Sequence, residues 1–307
     1  MPGASASVPG TAPSQHRPVS RTRRLASDYL ELTKPKVQSL LLLTTITTMY
    51  VAGDPSPLLV ALTCLGGYLS AGGAGAVNHW FDRDIDARMA RTASRPIPAG
   101  RISPAAALAF GCSLSALSFL ELSLTVNVLA ASLALSGFLG YVLVYTVWLK
   151  RRTPQNIVIG GAAGAVPPLV GWAAVRGSVG GTAVLLFFIV FFWTPPHFWA
   201  LSLLMKEEYK KVGVPMLPVV RGEAETRRQI LLYSVLLYAV TQLPFCAGGF
   251  GGIYLAVSLL LGLGFIAGAV RLYRRADRRS ALQLYLYSLA YLALLFCAMV
   301  LDAHLHI

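Results

Sequence analysis

The sequence predicts an all-α fold: a polytopic integral membrane protein with nine transmembrane helices around a central cavity. Of the 307 residues, 55% are hydrophobic and only 13% are charged, and the mean hydropathy is +0.62. These values are typical of membrane proteins. Apolar runs of roughly 17 to 25 residues, which cross a bilayer as helices, recur along the chain without the alternation of a β-barrel. The nine predicted spans are residues 37–53, 57–78, 104–121, 125–148, 156–175, 182–204, 229–248, 251–271 and 281–301.

The basic residues indicate topology rather than nucleic-acid binding, although the net charge is +13. All of the 26 Lys and Arg residues except Arg176 lie before the first span or after an even-numbered span. Positive residues concentrate on the cytoplasmic side of membrane proteins. We therefore expect a multi-pass protein of a cell membrane, with the bacterial inner membrane favoured, the N-terminus cytoplasmic and the C-terminus outside. Residues 1–28 are predicted to be a disordered basic cytoplasmic tail, and residues 29–307 the nine-helix domain.

A polar stripe follows the second predicted span. Asn78, Asp82 and Asp86 are spaced four residues apart, so on a continuing helix they lie near one face, about 6 Å apart along the axis. Two carboxylates at that separation repel by about 3 kcal/mol at an effective dielectric constant near 20. A bound cation or a basic neighbour is therefore expected between them. Asp84 falls on the opposite side, where we expect it to pair with an arginine at the surface.

Hard oxygen ligands in this pattern suit Mg²⁺, which binds proteins through one or two carboxylates and completes its shell with water and phosphate. Spacing alone leaves a second interpretation open. In that interpretation Asp82 and Asp86 are helix-end carboxylates that pair with Arg83 and Arg88 in a solvated loop.

Several segments carry a resemblance to a known family. The stretch from Asn78 to Ser103 resembles the first signature of the UbiA superfamily of intramembrane prenyltransferases. Further segments are similar to the heme-prenylating branch of that superfamily: Leu32 to Pro35, Tyr145 to Arg151, Asn156 to Gly161, Pro167 to Leu169, Pro196 to Leu201 and Gly213 to Pro218. The resemblance covers residues 29–301, nearly the whole chain after the tail.

The resemblance implies that the chain transfers the farnesyl group of farnesyl diphosphate to a vinyl group of heme b, giving heme O and releasing diphosphate. It implies that Asn78, Asp82 and Asp86 hold Mg²⁺. Breaking an allylic C–O bond leaves a carbocation and a diphosphate anion, so fixed cations are needed beside the leaving group. The residues expected to bind the diphosphate or the prenyl substrate are Arg95, Tyr145, Lys150 and Arg151. The lipid bilayer surrounds the protein, and a heme-handling protein or a heme A synthase is the kind of protein partner expected.

The segment after the sixth span departs from the wider superfamily, in which a second aspartate-rich motif is common. Here the segment reads Lys206-Glu207-Glu208-Tyr209-Lys210-Lys211. Two interpretations stay open. Either Glu208, or less favourably Glu207, completes the metal shell, or Lys206 and Lys210 bind phosphate and the glutamates orient them.

His197 lies near the inner end of the sixth span, behind Pro195 and Pro196, where a proline break would open the helix toward a cavity. A heme substrate needs a place for its iron, and a neutral imidazole is a common axial ligand. The alternative is a histidine hydrogen-bonded to a neighbouring helix. His79 points about 100° away from Asn78 around the helix and is a weaker site residue.

Two other classes of function share some of these features. A UbiA-type enzyme that prenylates an aromatic or quinone precursor would share the Asn78 to Asp86 motif, but the segments around Tyr145 and His197 argue against it. A membrane transporter would share the spans, but its charges are expected near the midplane, whereas here they gather at one membrane face.

Overall fold

The computed structural model describes residues 21–305, and within them the chain is helical with no β-strand. Eight helices of this part are long and apolar enough to cross a membrane, one fewer than the nine predicted spans. The elements are α1 (Arg21–Leu32), α2 (Pro35–Ala52), α3 (Pro57–Phe81), α4 (Arg83–Asp86), α5 (Pro104–Thr125), α6 (Val128–Leu139) continued by a π-helical segment (Gly140–Leu149), α7 (Asn156–Gly164), α8 (Val166–Arg176), α9 (Gly181–Leu204), α10 (Lys206–Lys211), α11 (Leu217–Val220), α12 (Gly222–Cys246), α13 (Gly252–Arg275) and α14 (Arg278–Leu305).

Helix α2 accounts for the difference in number. It covers the predicted span 37–53 and packs against α3, α8 and α14, but no stretch of it reaches the hydropathy that a stretch of each of the other eight reaches. Four buried threonines, Thr44, Thr45, Thr47 and Thr48, lie in its centre. The hydroxyls of Thr44, Thr45 and Thr47 donate to carbonyls of the same helix, whereas Oγ1 of Thr48 has no hydrogen-bond partner among the described residues.

Capping residues mark the N-termini of several helices. The hydroxyl of Ser56 accepts from the amide of Leu59, and that of Ser103 accepts from the amide of Ala106. In both cases the next residue is a proline, whose fixed φ suits the first helical position and which has no N–H to satisfy. These caps place the beginning of α3 and α5 within one residue of the predicted bounds.

The helices form a ring around a cavity of about 600 Å³, lined by residues of α2, α3, α6, the π-helical segment, α7, α8, α9 and α14. Helix α5 packs outside α3, and α12 and α13 pack outside α9 and α14. The all-α prediction with a central cavity is confirmed. Lys34 lines the cavity and contacts Asn78 near the end of α3, and we call the end of the bundle where α3 and the π-helical segment finish the polar end.

The predicted tail differs from the structure in its last part. Residues 1–20 lie outside the described residues, but α1 begins at Arg21, so residues 21–28 are helical and not disordered. The reason is packing: the carboxylate of Asp28 accepts a hydrogen bond from Arg101 at 2.9 Å, and Tyr29 packs on Phe110 with ring centroids 4.8 Å apart.

Helix α9 also differs from expectation, because it continues through Pro195 and Pro196 without a break. Proline has no N–H, so the carbonyls of Phe191 and Phe192 lose their helical donors. The predicted consequence is nevertheless present: His197, just after the proline pair, lines the cavity.

Candidate active site

Asn78, Asp82 and Asp86 meet at the polar end, and all three are buried, with exposures of 3%, 1% and 4%. Helix α3 does not simply continue, as the sequence pattern assumes, but ends at Phe81, and α4 carries the chain on. Two backbone bonds preserve the four-residue spacing across this joint: Asp82 N to Asn78 O (2.9 Å) and Asp86 N to Asp82 O (2.8 Å). Nδ2 of Asn78 donates to Oδ2 of Asp82 at 2.7 Å.

Each of these three side chains also binds a cation of the protein. Nζ of Lys150 donates to Oδ2 of Asp82, and Nη1 of Arg95 donates to Oδ2 of Asp86 at 2.7 Å. The sequence predicts a cation between the two carboxylates, whereas each carboxylate has a basic partner of its own, and neither partner is Arg83 or Arg88.

Lys34 is the cation that the sequence analysis missed. Its Nζ donates to Oδ1 of Asn78 at 2.5 Å, across 44 residues of sequence. Lys34 has a left-handed backbone conformation (φ 54°) between α1 and α2, and this bend directs it into the site. Burial, and then the positive charges of Lys150 and Arg95, lower the pKa of Lys34 to about 7. Removal from water is thus the main cost of the charge on Lys34, and a bound anion would reduce that cost.

The pKa of Lys150 shifts in the opposite direction. Burial alone would lower this pKa, but the negative charge of Asp82 and the hydrogen bond to Asp82 outweigh burial and raise it. Lys150 is therefore a permanent cation that relies on a single buried carboxylate.

Arg151 and Asp84 form a separate pair at the edge of the site. Nη1 and Nη2 of Arg151 donate to the two carboxylate oxygens of Asp84 at 2.8 and 2.7 Å, and Nη2 lies 3.5 Å from Oδ1 of Asp82. The hydrogen bonds from Arg151 lower the pKa of Asp84. Asp84 thus pairs with an arginine at the surface, as expected, and Arg151 is the partner.

The π-helical segment places two tyrosines between the charged cluster and the apolar cavity. The rings of Tyr141 and Tyr145 lie 5.3 Å apart, and both line the cavity. Nζ of Lys34 is 5.8 Å from the centre of the Tyr141 ring, and Nζ of Lys150 is 5.9 Å from that of Tyr145. Space for Tyr145 comes from Gly160, where an added Cβ would lie 2.5 Å from its ring. π-Helical turns of this kind are frequent at functional sites.

Helix α10 approaches the site, but not through Lys206. That side chain is paired with Glu223 at 2.9 Å on the exposed side. Tyr209 lies close enough to Lys150 to interact with it electrostatically. Oε2 of Glu208 is buried and has no hydrogen-bond partner among the described residues, whereas Glu207 is exposed.

His197 lies in the apolar cavity and is 6% exposed. Its Nδ1 is 2.6 Å from Oγ of Ser288 on α14, so the predicted hydrogen bond to a neighbouring helix is present. His79 is buried, at 2% exposure, and neither of its ring nitrogens has a hydrogen-bond partner among the described residues.

The donor chemistry of the site fits a magnesium ion bound together with phosphate. The site offers two carboxylates and the amide of Asn78, whose Oδ1 accepts from Lys34, and residues 21–305 contain no cluster of three or more His, Cys, Asp or Glu side chains that could hold a metal ion by themselves. Mg²⁺ is usually held in this manner, by few protein ligands with the rest from water and substrate phosphate.

Fold and site together define a helical membrane protein with a mixed acidic and basic cluster beside an apolar cavity. The chain belongs to the UbiA prenyltransferase family, whose model matches residues 41–298.

Two curated relatives illustrate the similarity, and both are named protoheme IX farnesyltransferase. That of Symbiobacterium thermophilum is 54% identical over 293 residues, which cover 94% of this chain and 98% of the relative. That of Chloroflexus aurantiacus is 55% identical over 294 residues, covering 95% of this chain but 50% of the relative. The chain thus spans about half the length of several of the curated relatives that it matches.

Solved structures share the fold. One, described as digeranylgeranylglyceryl phosphate synthase, has a TM-score of 0.75 at 22% identity and covers 91% of this chain and 99% of its own. A UbiA homolog from Archaeoglobus fulgidus, solved with DMAPP and Mg²⁺, has a TM-score of 0.64 at 17% identity and covers 89% of this chain and 99% of its own.

Proposed function

We propose that this chain transfers the farnesyl group of farnesyl diphosphate to a vinyl group of heme b, with addition of water, to give heme O and diphosphate. The observation that carries the proposal is the cluster of two carboxylates, one amide and three cations beside an apolar cavity that is lined by a histidine. The names of relatives more than 50% identical over most of this chain support the choice of substrates.

The charged cluster serves the leaving group. As the allylic C–O bond breaks, negative charge grows on the diphosphate, and Lys150 and Arg95 lie where they can stabilise it. Asn78, Asp82 and Asp86 are the residues that would hold Mg²⁺, which supplies further neutralisation of the diphosphate charge. The A. fulgidus homolog solved with DMAPP and Mg²⁺ supports this assignment. An anion bound beside Lys34, whose pKa is lowered to about 7 without a ligand, would favour its charged form.

The cavity serves the prenyl chain and the porphyrin. Its walls exclude water from the carbocation until the vinyl group attacks, and the faces of Tyr141 and Tyr145 lie where the cation forms. We assign His197, the histidine of the cavity wall, to the heme.

The remaining predicted site residues receive secondary roles. Arg151 holds the joint between α3 and α4 through Asp84 and thereby positions Asp82. We assign the second acidic contribution to Glu208 rather than Glu207, because its Oε2 is buried without a partner. Lys206, paired with Glu223, positions α10.

The experiment is an in vitro assay of the purified protein in detergent with Mg²⁺, farnesyl diphosphate and heme b, and product detection by mass spectrometry. Heme O is the expected product, and 4-hydroxybenzoate in place of heme b is expected to remain unmodified. Prenylation of 4-hydroxybenzoate without any heme O would overturn the substrate assignment in favour of a quinone-precursor enzyme. Uptake or efflux of a solute without prenyl transfer would support a transporter.

The proposed orientation places the polar end and the N-terminus in the cytoplasm of a bacterial inner membrane. Alkaline phosphatase, active only outside that membrane, should be active when fused in the Gly177 turn, beside Arg176. Alkaline phosphatase should be inactive when fused at Gly213, in the basic segment after α9. The reverse pattern would contradict the orientation.

A further inference from the structure

We propose that Nε2 of His197 is the nitrogen that binds the heme iron, and that Ser288 is the positioning residue that fixes the imidazole for this purpose. The inference rests on the proposed function in one respect, that heme b enters the cavity. It adds that Nε2 of His197 binds the iron and that Ser288 fixes the orientation and the tautomer of the imidazole.

The imidazole of His197 is clamped on both faces. The Trp193 ring stacks on it with centroids 4.3 Å apart and an interplanar angle of 19°, and the Tyr285 ring stacks at 4.9 Å and 28°. Trp193 and Tyr285 make no ring contact with each other, so they lie on opposite faces. Two stacked partners leave only the edges of the imidazole free and prevent it from turning.

One of those edges is fixed by Ser288. Oγ of Ser288 donates to the carbonyl of Tyr285 at 2.6 Å, which uses its only proton. Toward Nδ1 of His197, 2.6 Å away, Oγ is therefore an acceptor. It follows that Nδ1 carries the proton and Nε2 carries the lone pair. The backbone of Ser288 is itself held, since Nε1 of Trp193 donates to its carbonyl at 2.8 Å.

The other edge carries Nε2. This nitrogen makes no hydrogen bond among the described residues, and it is not sealed off as both nitrogens of His79 are. Phe198 meets the imidazole edge-on, with ring centroids 5.1 Å apart and an interplanar angle of 88°, but it offers no polar atom to Nε2. Because His197 lines the cavity, we assign the space at Nε2 to the cavity.

Of the groups that heme b offers, the iron is the one that can bind the lone pair of Nε2. A lone pair needs a proton donor or a Lewis acid, and heme b has no pyrrole N–H because all four nitrogens bind iron. Its vinyl and methyl groups are apolar, and its ionised propionates are acceptors. Iron is the partner that remains. An imidazole with one nitrogen on the metal and the other donating to an oxygen is the usual arrangement at metal sites.

The test combines spectroscopy of the heme b complex with binding of metal-free protoporphyrin IX. For His197→Ala we expect loss of the imidazole-ligated spectrum, its return on addition of imidazole, and heme affinity at least tenfold weaker. Affinity for protoporphyrin IX, which has no iron, should not change, which distinguishes lost ligation from a collapsed cavity. His304→Ala, at an exposed position, is the matched control and should leave both measurements unchanged.

Ser288→Ala should retain ligation but lower the frequency of the iron–histidine stretch in resonance Raman, because Nδ1 loses its acceptor. Ser288→Thr, which keeps the hydroxyl, should restore that frequency. A His197→Ala spectrum identical to that of the unsubstituted protein would overturn the inference, even if heme O is formed. Clear ligation by His197 without any heme O would instead overturn the proposed function and leave the inference intact.

Discussion

Lys150 and Asn78 donate to the same carboxylate oxygen, Oδ2 of Asp82. A lysine therefore occupies the position at which the sequence predicts a metal ion. Asp82 is buried, with a side-chain exposure of 1%, and Lys150 is partly buried, at 14%. If Mg²⁺ used this oxygen, the ammonium group would have to move and could then contact the diphosphate. We therefore expect metal binding and phosphate binding to be coupled through one oxygen.

Two substitutions should affect different ligands. Lys150→Met should raise KM for farnesyl diphosphate by about tenfold or more, since a charge-assisted contact is lost, while the Mg²⁺ concentration for half-maximal activity does not rise. Asp86→Asn should raise that Mg²⁺ concentration. Steady-state assays with both ligands varied provide the measurement. Arg152→Met, an exposed member of the same basic run, is the control, and a weaker Mg²⁺ response in Lys150→Met would contradict the coupling.

Asp82 and Asp84 should differ sharply in how much activity their substitution costs. Asp82→Asn should reduce turnover by about 100-fold or more, because a buried carboxylate that would hold Mg²⁺ beside the leaving group is lost. Asp84→Asn should cost much less, since Asp84 pairs with Arg151 at the surface and its side chain is 55% exposed. Thermal unfolding of both variants checks that folding is retained. Equal activity of the two variants would refute the assignment of Asp82 as a ligand.

The sequence predicts the fold and one half of the site. Hydrophobic run length determines where helices cross a membrane, and the spacing of Asn78, Asp82 and Asp86 survives the joint at Asp82 because two backbone bonds bridge it. Lys34 reaches Asn78 only through the bend between α1 and α2, and this contact spans 44 residues. Such a partner depends on how helices pack and not on any local pattern.

The same limit applies to the second half of the site. Ser288 is 91 residues from His197, and nothing around it in sequence distinguishes it from the other small residues of a membrane helix. For Lys206 the sequence pattern predicts a place at the site that the side chain does not take. Glu223 on α12 pairs with it on the exposed side instead.

The crossing of α3 and α5 gives a stability prediction. An added Cβ at Gly73 would lie 2.6 Å from the carbonyl oxygen of Gly111, and small residues allow membrane helices this close approach. Gly73→Ala should therefore destabilise the protein by about 1 to 3 kcal/mol, although alanine has the higher helix propensity. Gly252→Ala, where nothing lies within 4 Å of the added Cβ, is the matched control. Thermal unfolding in detergent measures both, and an unchanged unfolding temperature for Gly73→Ala would show that the helices can separate without cost.

Asp302 is expected to stabilise the far end of the bundle, away from the charged cluster. It lies on α14, is 2% exposed, and accepts from the amide of Gly251 at 2.6 Å and that of Tyr254 at 3.0 Å. Helix α13 begins at Gly252 without a side-chain cap of its own, so a neighbouring helix supplies the acceptors that its first amides need. Asp302→Ala should cost about 1 to 3 kcal/mol.

Asp302→Asn, which keeps one carbonyl oxygen, should have an intermediate effect on stability. Asp54→Ala, at a side chain that is 96% exposed, should have almost none. Amide hydrogen exchange locates the effect: the amide of Tyr254 should exchange faster in Asp302→Ala, while amides at the polar end keep their protection. Loss of stability with unchanged exchange at Tyr254 would show that Asp302 acts through contacts other than this cap.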